Sequence, residues 1–193
     1  MMKLLDGKRL ILASNSPRRK ELLGGLDVDF DVRVLNGIDE SFPETLAGED
    51  IPKYISQQKA KAYMPSLAAD EVLVTSDTIV YLDREVLGKP KDADDARRML
   101  RLISGRSHDV ITGVTIVSGI KINSFSVTTK VTFKQLSDDE IDYYIENYRP
   151  FDKAGAYGIQ EWIGYIGVTS IEGSYFNVMG LPVQRLYQEL VKM

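Results

Sequence analysis

A chain of 193 residues with 44% hydrophobic and 27% charged side chains has the composition of a soluble globular protein, not of a disordered or fibrous one. Its formal net charge of -4 argues against a nucleic-acid binder, which needs surplus basic residues to displace counterions. The absence of cysteine and the single histidine, His108, exclude disulfides, thiolate metal sites and multi-histidine zinc centres.

The first twelve residues, interrupted by Asp6 and Gly7, hold no signal-peptide core. No later apolar run approaches the roughly 20 residues that span a bilayer, so a cytoplasmic location is expected. Residues 9–13 read as a short buried strand, and Ser14-Asn15-Ser16-Pro17 then gives a helix start, with a capping oxygen ahead of a first-turn proline. That helix runs over 17–23 and stops at Gly24-Gly25; residues 28–35 alternate as a second strand. Residues 51–63 follow a helical pattern ended by Pro65, with Ile51, Ile55 and Ala62 as its apolar stripe. Residues 71–82 form a long β-rich run, hairpinned through Asp83-Arg84 onto 85–87. Asp92 caps a helix whose first turn holds Asp94 and Asp95 and whose buried face holds Ala96, Met99, Leu100 and Ile103.

Two strands follow, 109–117 and 121–134, the second alternating through Phe125, Val127, Thr129, Val131 and Phe133. Ser137 to Glu140 is a capping box that opens a helix to about Tyr148. Residues 162–171 look like a strand, and 182–191 make a terminal amphipathic helix. Strands and helices mixed with two hairpins predict a mixed α/β sheet, and no linker divides the span 1–193 into separate domains.

Three segments have the residues for chemistry. Ser14 to Arg19 lies between a strand and a helix, where free N–H groups, the helix dipole and the guanidinium groups of Arg18 and Arg19 suit a phosphate. An ordinary capped helix with solvated arginines would look the same. Asp77 stands inside Val72-Leu73-Val74-Thr75-Ser76-Asp77-Thr78-Ile79-Val80, where a carboxylate is costly unless paired, hydrogen-bonded or metal-bound; a bulge or a wet sheet edge is the structural alternative. Lys89 sits in the constrained turn Leu87-Gly88-Lys89-Pro90, and Asp39-Glu40 reads as a polar turn or as acids near a metal. Lys59 and Lys61 flank the apolar stripe of their helix, one on each side, and periodicity does not choose between them. In the third segment, Asp152 to Gln160, small residues and glycines permit close approach to a ligand, and Gln160 has both a donor and an acceptor for a base edge. His108 reads as structural.

The blocks SNSPRRKELL, SDTIVYLDREVLGKPKD, SGRSHDVITGV, DKAGAYGIQ and EGSYFNVMGLP occur in the order found in Maf-like proteins, and the chain resembles that family over nearly its whole length. The resemblance implies a nucleoside triphosphate pyrophosphatase with a house-cleaning role and a link to septum formation. It also implies a mixed twisted sheet flanked by helices, related to inosine triphosphatases, with two lobes around a central cleft. By position, Asp77 matches the family's catalytic acid, taken as proton acceptor. Glu40 matches the acid after the second strand, Lys59 the lysine of the helix and Lys89 the lysine of the GKP turn. The DKAGAYGIQ form resembles the branch acting on dTTP and UTP, in which Arg18, Thr78 and Gln160 match positions associated with substrate choice. One departure is Glu161-Trp162, where glycine commonly follows the glutamine; it sets a charge and a bulky ring next to Gln160.

The mechanism so implied has a Mg²⁺ or Mn²⁺ ion held by Glu40 and Asp77, and Arg18, Lys59 and Lys89 offsetting phosphate charge. A nucleoside triphosphate is the expected partner, with no nucleic acid and no membrane; the resemblance admits a homodimer that nothing in the sequence establishes. The rival of another class is a nucleotide-sensing regulator of cell division without turnover. A P-loop enzyme is disfavoured, because no G-x-x-x-x-G-K-[ST] run is present.

Overall fold

The computed structural model describes residue 5 and residues 7–193; Met1–Leu4 and Asp6, part of the stretch read as lacking a signal-peptide core, lie outside the described residues. Seven strands form a mixed sheet: β1 (Arg9–Leu12), β2 (Phe30–Val32), β3 (Glu71–Leu82), β4 (Glu85–Leu87), β5 (Ser107–Ser118), β6 (Lys121–Phe133) and β7 (Val168–Glu172). Their order is β2-β1-β3-β5-β6-β7, with β4 on β3. β1 runs parallel to both β2 and β3, whereas β4 is antiparallel to β3 and β7 to β6. Leu10, Ile11 and Leu12 of β1 and Val72, Leu73 and Val74 of β3 are all buried, the run without alternation that a covered parallel pair requires. β2 is shorter than the alternation over 28–35 predicts. Its ladder partner β1 has four residues, register runs from Leu10↔Phe30 to Leu12↔Val32, and Val34 and Leu35 beyond it are exposed.

The chain forms two compact units. The first comprises the described residues up to Thr78, Thr112–Val127 and Gly180–Met193. It carries helices α1 (Pro17–Gly24) and α2 (Asp50–Tyr63), with the terminal helix Val183–Leu190. Gly113 of β5 admits α2 at close range, since a Cβ there would lie 2.2 Å from the carbonyl carbon of Pro52. Thr75 Oγ1 donates to the Ser56 carbonyl at 2.7 Å, and Ser56 Oγ meets Thr115 Oγ1 at 2.9 Å, so the buried hydroxyls beneath α2 are paired. The buried face of α2 is Ile51, Pro52, Ile55, Ser56, Ala60 and Tyr63; Ala62, expected in the apolar stripe, is exposed. Ala60 and Tyr63 continue the spacing of Ile51 and Ile55, and Ala62 falls off that face.

The second unit comprises Ile79–Ile111 and Thr128–Met179. Helices α3 (Ala93–Ile103) and α4 (Asp138–Tyr148) begin where the caps predict. Asp92 accepts from the N–H of Asp95 at 2.8 Å, and Ser137 and Glu140 close a reciprocal capping box. Ala96, Met99, Leu100 and Ile103 pack with Phe133, Ile141 and Tyr144 in one apolar core.

The predicted strand over 162–171 is corrected. Its first part is a helix, α5 (Trp162–Gly167), followed by β7 and then by a short helix, α6 (Tyr175–Met179). The reason lies in the glycines. A Cβ on Gly164 would fall 1.9 Å from the Ile159 carbonyl oxygen, and one on Gly167 would fall 2.9 Å from the Phe133 ring. The two glycines, three residues apart, line the packed face of a helical turn that Ile and Trp residues disguise as β. By chain order the terminal helix is α7. Among the described residues no helix is long and apolar enough to cross a membrane.

Candidate active site

β3 carries Asp77 into the first unit as a buried acid flanked by the buried hydroxyls of Thr75 and Ser76. Lys59 answers its charge. On α2, the side chain of Lys59 reaches Asp77 Oδ1 at 2.9 Å and Glu40 Oε1 at 3.0 Å. Lys59 and Asp77 are each only 12% exposed along the side chain, whereas Glu40 is 54% exposed. The cost of a carboxylate in an apolar strand is therefore offset by one shared ammonium, mostly through the buried arm of the bridge. Lys61, the other candidate, is exposed. The structure thus brings together Glu40, Lys59 and Asp77, three residues that spacing alone left apart.

Arg19, on α1, grips both chain neighbours of Asp77. Its Nε donates to the Gly180 carbonyl at 2.9 Å, one terminal nitrogen to the Ser76 carbonyl at 3.0 Å and the other to Thr78 Oγ1 at 3.1 Å. Burial draws the Arg19 guanidinium below its ordinary value, while the charge of Asp77 opposes that shift. Thr78 Oγ1 also meets Thr112 Oγ1 at 2.9 Å. Gly180 sits at φ +121, a backbone suited to glycine, where its carbonyl receives Arg19. The sequence reading gave both arginines to phosphate, and nothing in the pattern marks the Ser76 and Gly180 carbonyls as acceptors for Arg19.

The turn ahead of α1 forms as predicted. Ser16 caps the helix by accepting from the Arg19 N–H at 3.4 Å, and Ser14 Oγ accepts from the Ser16 N–H at 3.2 Å. Arg18, at the second helical position, is partly buried. Ser76 Oγ is buried without a hydrogen-bond partner, which leaves an uncommitted hydroxyl adjacent to Asp77. Among the described residues no three Asp, Glu or His side chains come together as an ion cage. Two carboxylates, Glu40 and Asp77, are nonetheless the protein share that Mg²⁺ commonly takes when substrate phosphates and water supply the rest.

Lys89 and Gln160 belong to the second unit. Val80 pairs with Leu87, which sets Lys89 two residues past the β3–β4 ladder, exposed in its turn. Gly155 N–H donates to the Gly88 carbonyl at 3.0 Å, tying the 154–160 segment to the residue before Lys89. Gln160 Oε1 is buried with no partner. Glu161 and Trp162, the charge and bulky ring next to Gln160, are both engaged. Lys153 Nζ lies 3.1 Å from Glu161, Tyr144 donates to the same carboxylate, and Trp162 packs on Tyr143 with ring centroids 4.8 Å apart. Nothing in the run DKAGAYGIQ marks Lys153 as buried, yet it is. His108 is structural as read: buried, with Nε2 2.7 Å from the Tyr157 hydroxyl and the ring against Phe133.

The chain is 58% identical over 193 residues to a dTTP/UTP pyrophosphatase of Phocaeicola vulgatus, covering 100% of both chains. It is 50% identical over 192 residues to a dTTP/UTP pyrophosphatase of Porphyromonas gingivalis, covering 98% of this chain and 96% of that one. Among solved structures, the Staphylococcus aureus Ham1 protein matches the fold with a TM-score of 0.52 at 15% identity, over 95% of this chain and 98% of that one. The family model described as "Maf-like protein" matches residues 9–193. With that match running from β1 to the last residue, the chain belongs to the Maf-like protein family.

Proposed function

We propose that the chain hydrolyses dTTP and UTP to the nucleoside monophosphate and pyrophosphate. The observation that carries this reading is the bridge from buried Asp77, inside the hydrophobic strand β3, through Lys59 to the exposed Glu40, in a chain whose full-length relatives are named dTTP/UTP pyrophosphatases. Such a bridge fixes the Asp77 carboxylate in place beside a second set of acidic oxygens, a pairing that suits a general base and a hard cation.

Asp77 takes a proton from the attacking water as the water oxygen bonds to the α-phosphorus. The α–β bridging P–O bond breaks, and pyrophosphate leaves with the electron pair. Lys59 offsets the negative charge collected around Asp77 and the phosphates. Arg18 and Ser14, at the α1 turn, supply donors for phosphate oxygens. Arg19 supports the substrate side by holding Thr78. Lys89 is assigned to phosphate charge and Gln160 to the base by their resemblance to family positions, and the unpaired Oε1 of Gln160 supports an acceptor role there. A Mg²⁺ or Mn²⁺ ion held by Glu40 and Asp77 would supply Lewis-acid polarisation of the phosphate oxygens.

Product analysis tests the reading. With Mg²⁺ or Mn²⁺, dTTP and UTP are expected to give monophosphate and pyrophosphate in equal amounts, ahead of purine triphosphates. Release of inorganic phosphate with the nucleoside diphosphate would overturn it, and equal rates on purine and pyrimidine substrates would refute base reading by Gln160.

A further inference from the structure

Within the second unit, the residues around Gln160 are held by a polar cluster that none of the roles above uses. Lys153 is 9% exposed along its side chain, and its ammonium lies between Asp152 at 2.7 Å and Glu161 at 3.1 Å. Tyr144, buried on α4, donates its hydroxyl to the other oxygen of Glu161 and accepts the Gly158 N–H at 3.0 Å. Burial, reinforced by that carboxylate, pushes the Tyr144 hydroxyl well above its ordinary value, so it stays a donor. Glu161 closes the ring through its own N–H, which donates to the Gly158 carbonyl at 3.0 Å.

The space inside this ring is full. A Cβ on Gly158 would lie 2.9 Å from Glu161 Cδ and 3.0 Å from Lys153 Cε. Upstream, Gly155 and Ala156 both hold left-handed backbone, at φ +68 and +60, and Gly155 is pressed against Val80, where a Cβ would come within 2.7 Å of a methyl group. Left-handed backbone at an alanine persists only where its surroundings fix it. The segment from Lys153 to Glu161 is therefore pinned at both ends, and Gln160 is the residue immediately before the closing carboxylate.

We propose that Lys153, Glu161 and Tyr144 form a buried clasp that fixes the orientation of Gln160, making Glu161 a positioning residue for pyrimidine selection. The inference rests on the reading of Gln160 as the base contact. Its chemistry is that of a pre-organised amide. Held in one place, the Gln160 oxygen accepts from the N3–H that a 4-oxo pyrimidine has and its 4-amino counterpart lacks; freed to rotate, the amide can present either its oxygen or its nitrogen and serves both.

The test compares kcat/KM for dTTP and dCTP in the whole enzyme, for Glu161→Gln, Lys153→Met, the double variant and Gln160→Ala. Glu161→Gln keeps size and removes charge; it is expected to lower the dTTP-to-dCTP ratio about tenfold or more. Because the two residues form one unit, the fold-losses of Lys153→Met and Glu161→Gln are expected not to multiply in the double variant. A general weakening of the fold would lower both substrates together and leave the ratio unchanged. Hydrogen exchange of the amides from Gly158 to Trp162 is measured on the same variants and is expected to quicken in Glu161→Gln. If Gln160→Ala alters the ratio and Glu161→Gln does not, the clasp is overturned while the base reading stands. If Gln160→Ala leaves the ratio untouched, the base reading fails, and unaltered exchange in Glu161→Gln then overturns the clasp by itself.

Discussion

Lys59 joins a buried carboxylate to an exposed one, and the two arms of that bridge differ in worth. The Glu40 arm reaches into solvent and contributes little, as surface pairs do. Removing the ammonium, however, leaves the Asp77 carboxyl without its partner inside an apolar strand. Lys59→Met is expected to cost about 1–3 kcal/mol in urea unfolding, the range for a buried polar group left without its partner. Lys61→Ala, at an exposed position of the same helix, is expected to stay within about 0.5 kcal/mol. Equal costs for the two would contradict the bridge. This is also where the sequence was least informative. A lone acid in Val-Leu-Val-Thr-Ser-Asp stands out from its own neighbours, so Asp77 was legible. Lys59 and Lys61 flank the same stripe, and the choice depends on Asp77 and Glu40, each far from Lys59 along the chain. The protein partners of Arg19 were hidden for the same reason, because two of its acceptors are carbonyls of Ser76 and Gly180 that no side-chain pattern reveals.

Elements were read best where a local hydrogen bond sets their start. The caps at Ser16, Asp92 and Ser137 depend on residues three positions apart and formed as the sequence implied. The hairpin through Asp83-Arg84 was equally local, with both turn residues in left-handed backbone. α5 was misread, since the run Trp-Ile-Gly-Tyr-Ile-Gly-Val is rich in β-forming residues and its helical signal is only the spacing of Gly164 and Gly167. That reading of the glycines has a direct consequence. Gly164→Ala adds a methyl where the Ile159 carbonyl oxygen stands 1.9 Å away, and backbone has little room to give. A loss of about 1–3 kcal/mol is expected from such overpacking, measured as a lowered thermal midpoint. An unchanged midpoint would mean that the turn is not packed as described.

At the scale of the whole molecule, the only histidine makes the acid limb of stability simple to interpret. Burial pushes His108 down from 6.5 to about 4. As pH falls, the unfolded chain therefore takes up the proton before the folded one does. The stabilisation is complete above about 6.5 and is lost progressively as pH falls from there through about 4, amounting to something on the order of 3 kcal/mol. Glu71 is held below its ordinary value of 4.5 chiefly by Arg33, so its contribution is lost only as pH falls below that value, which leaves the interval from 6.5 to about 5 to His108. Urea unfolding of His108→Gln is expected to show a much shallower slope than the parent between pH 6.5 and about 5; a slope equal to that of the parent would refute the assignment. The mixed sheet was legible because hairpins and a continuous buried run appear in the sequence, while β2 fell short because its length is set by β1.

The claim on which the rest depends is that Asp77 accepts the proton in pyrophosphate-releasing hydrolysis. The most direct measurement is pyrophosphate release from dTTP by the parent protein and by Asp77→Asn, with thermal midpoints recorded for both. The parent is expected to give dTMP and pyrophosphate one to one, and Asp77→Asn to be slower by about 10²–10⁴-fold while remaining folded, the usual contribution of a positioned general base. Parent-like release by a folded Asp77→Asn protein would contradict the claim.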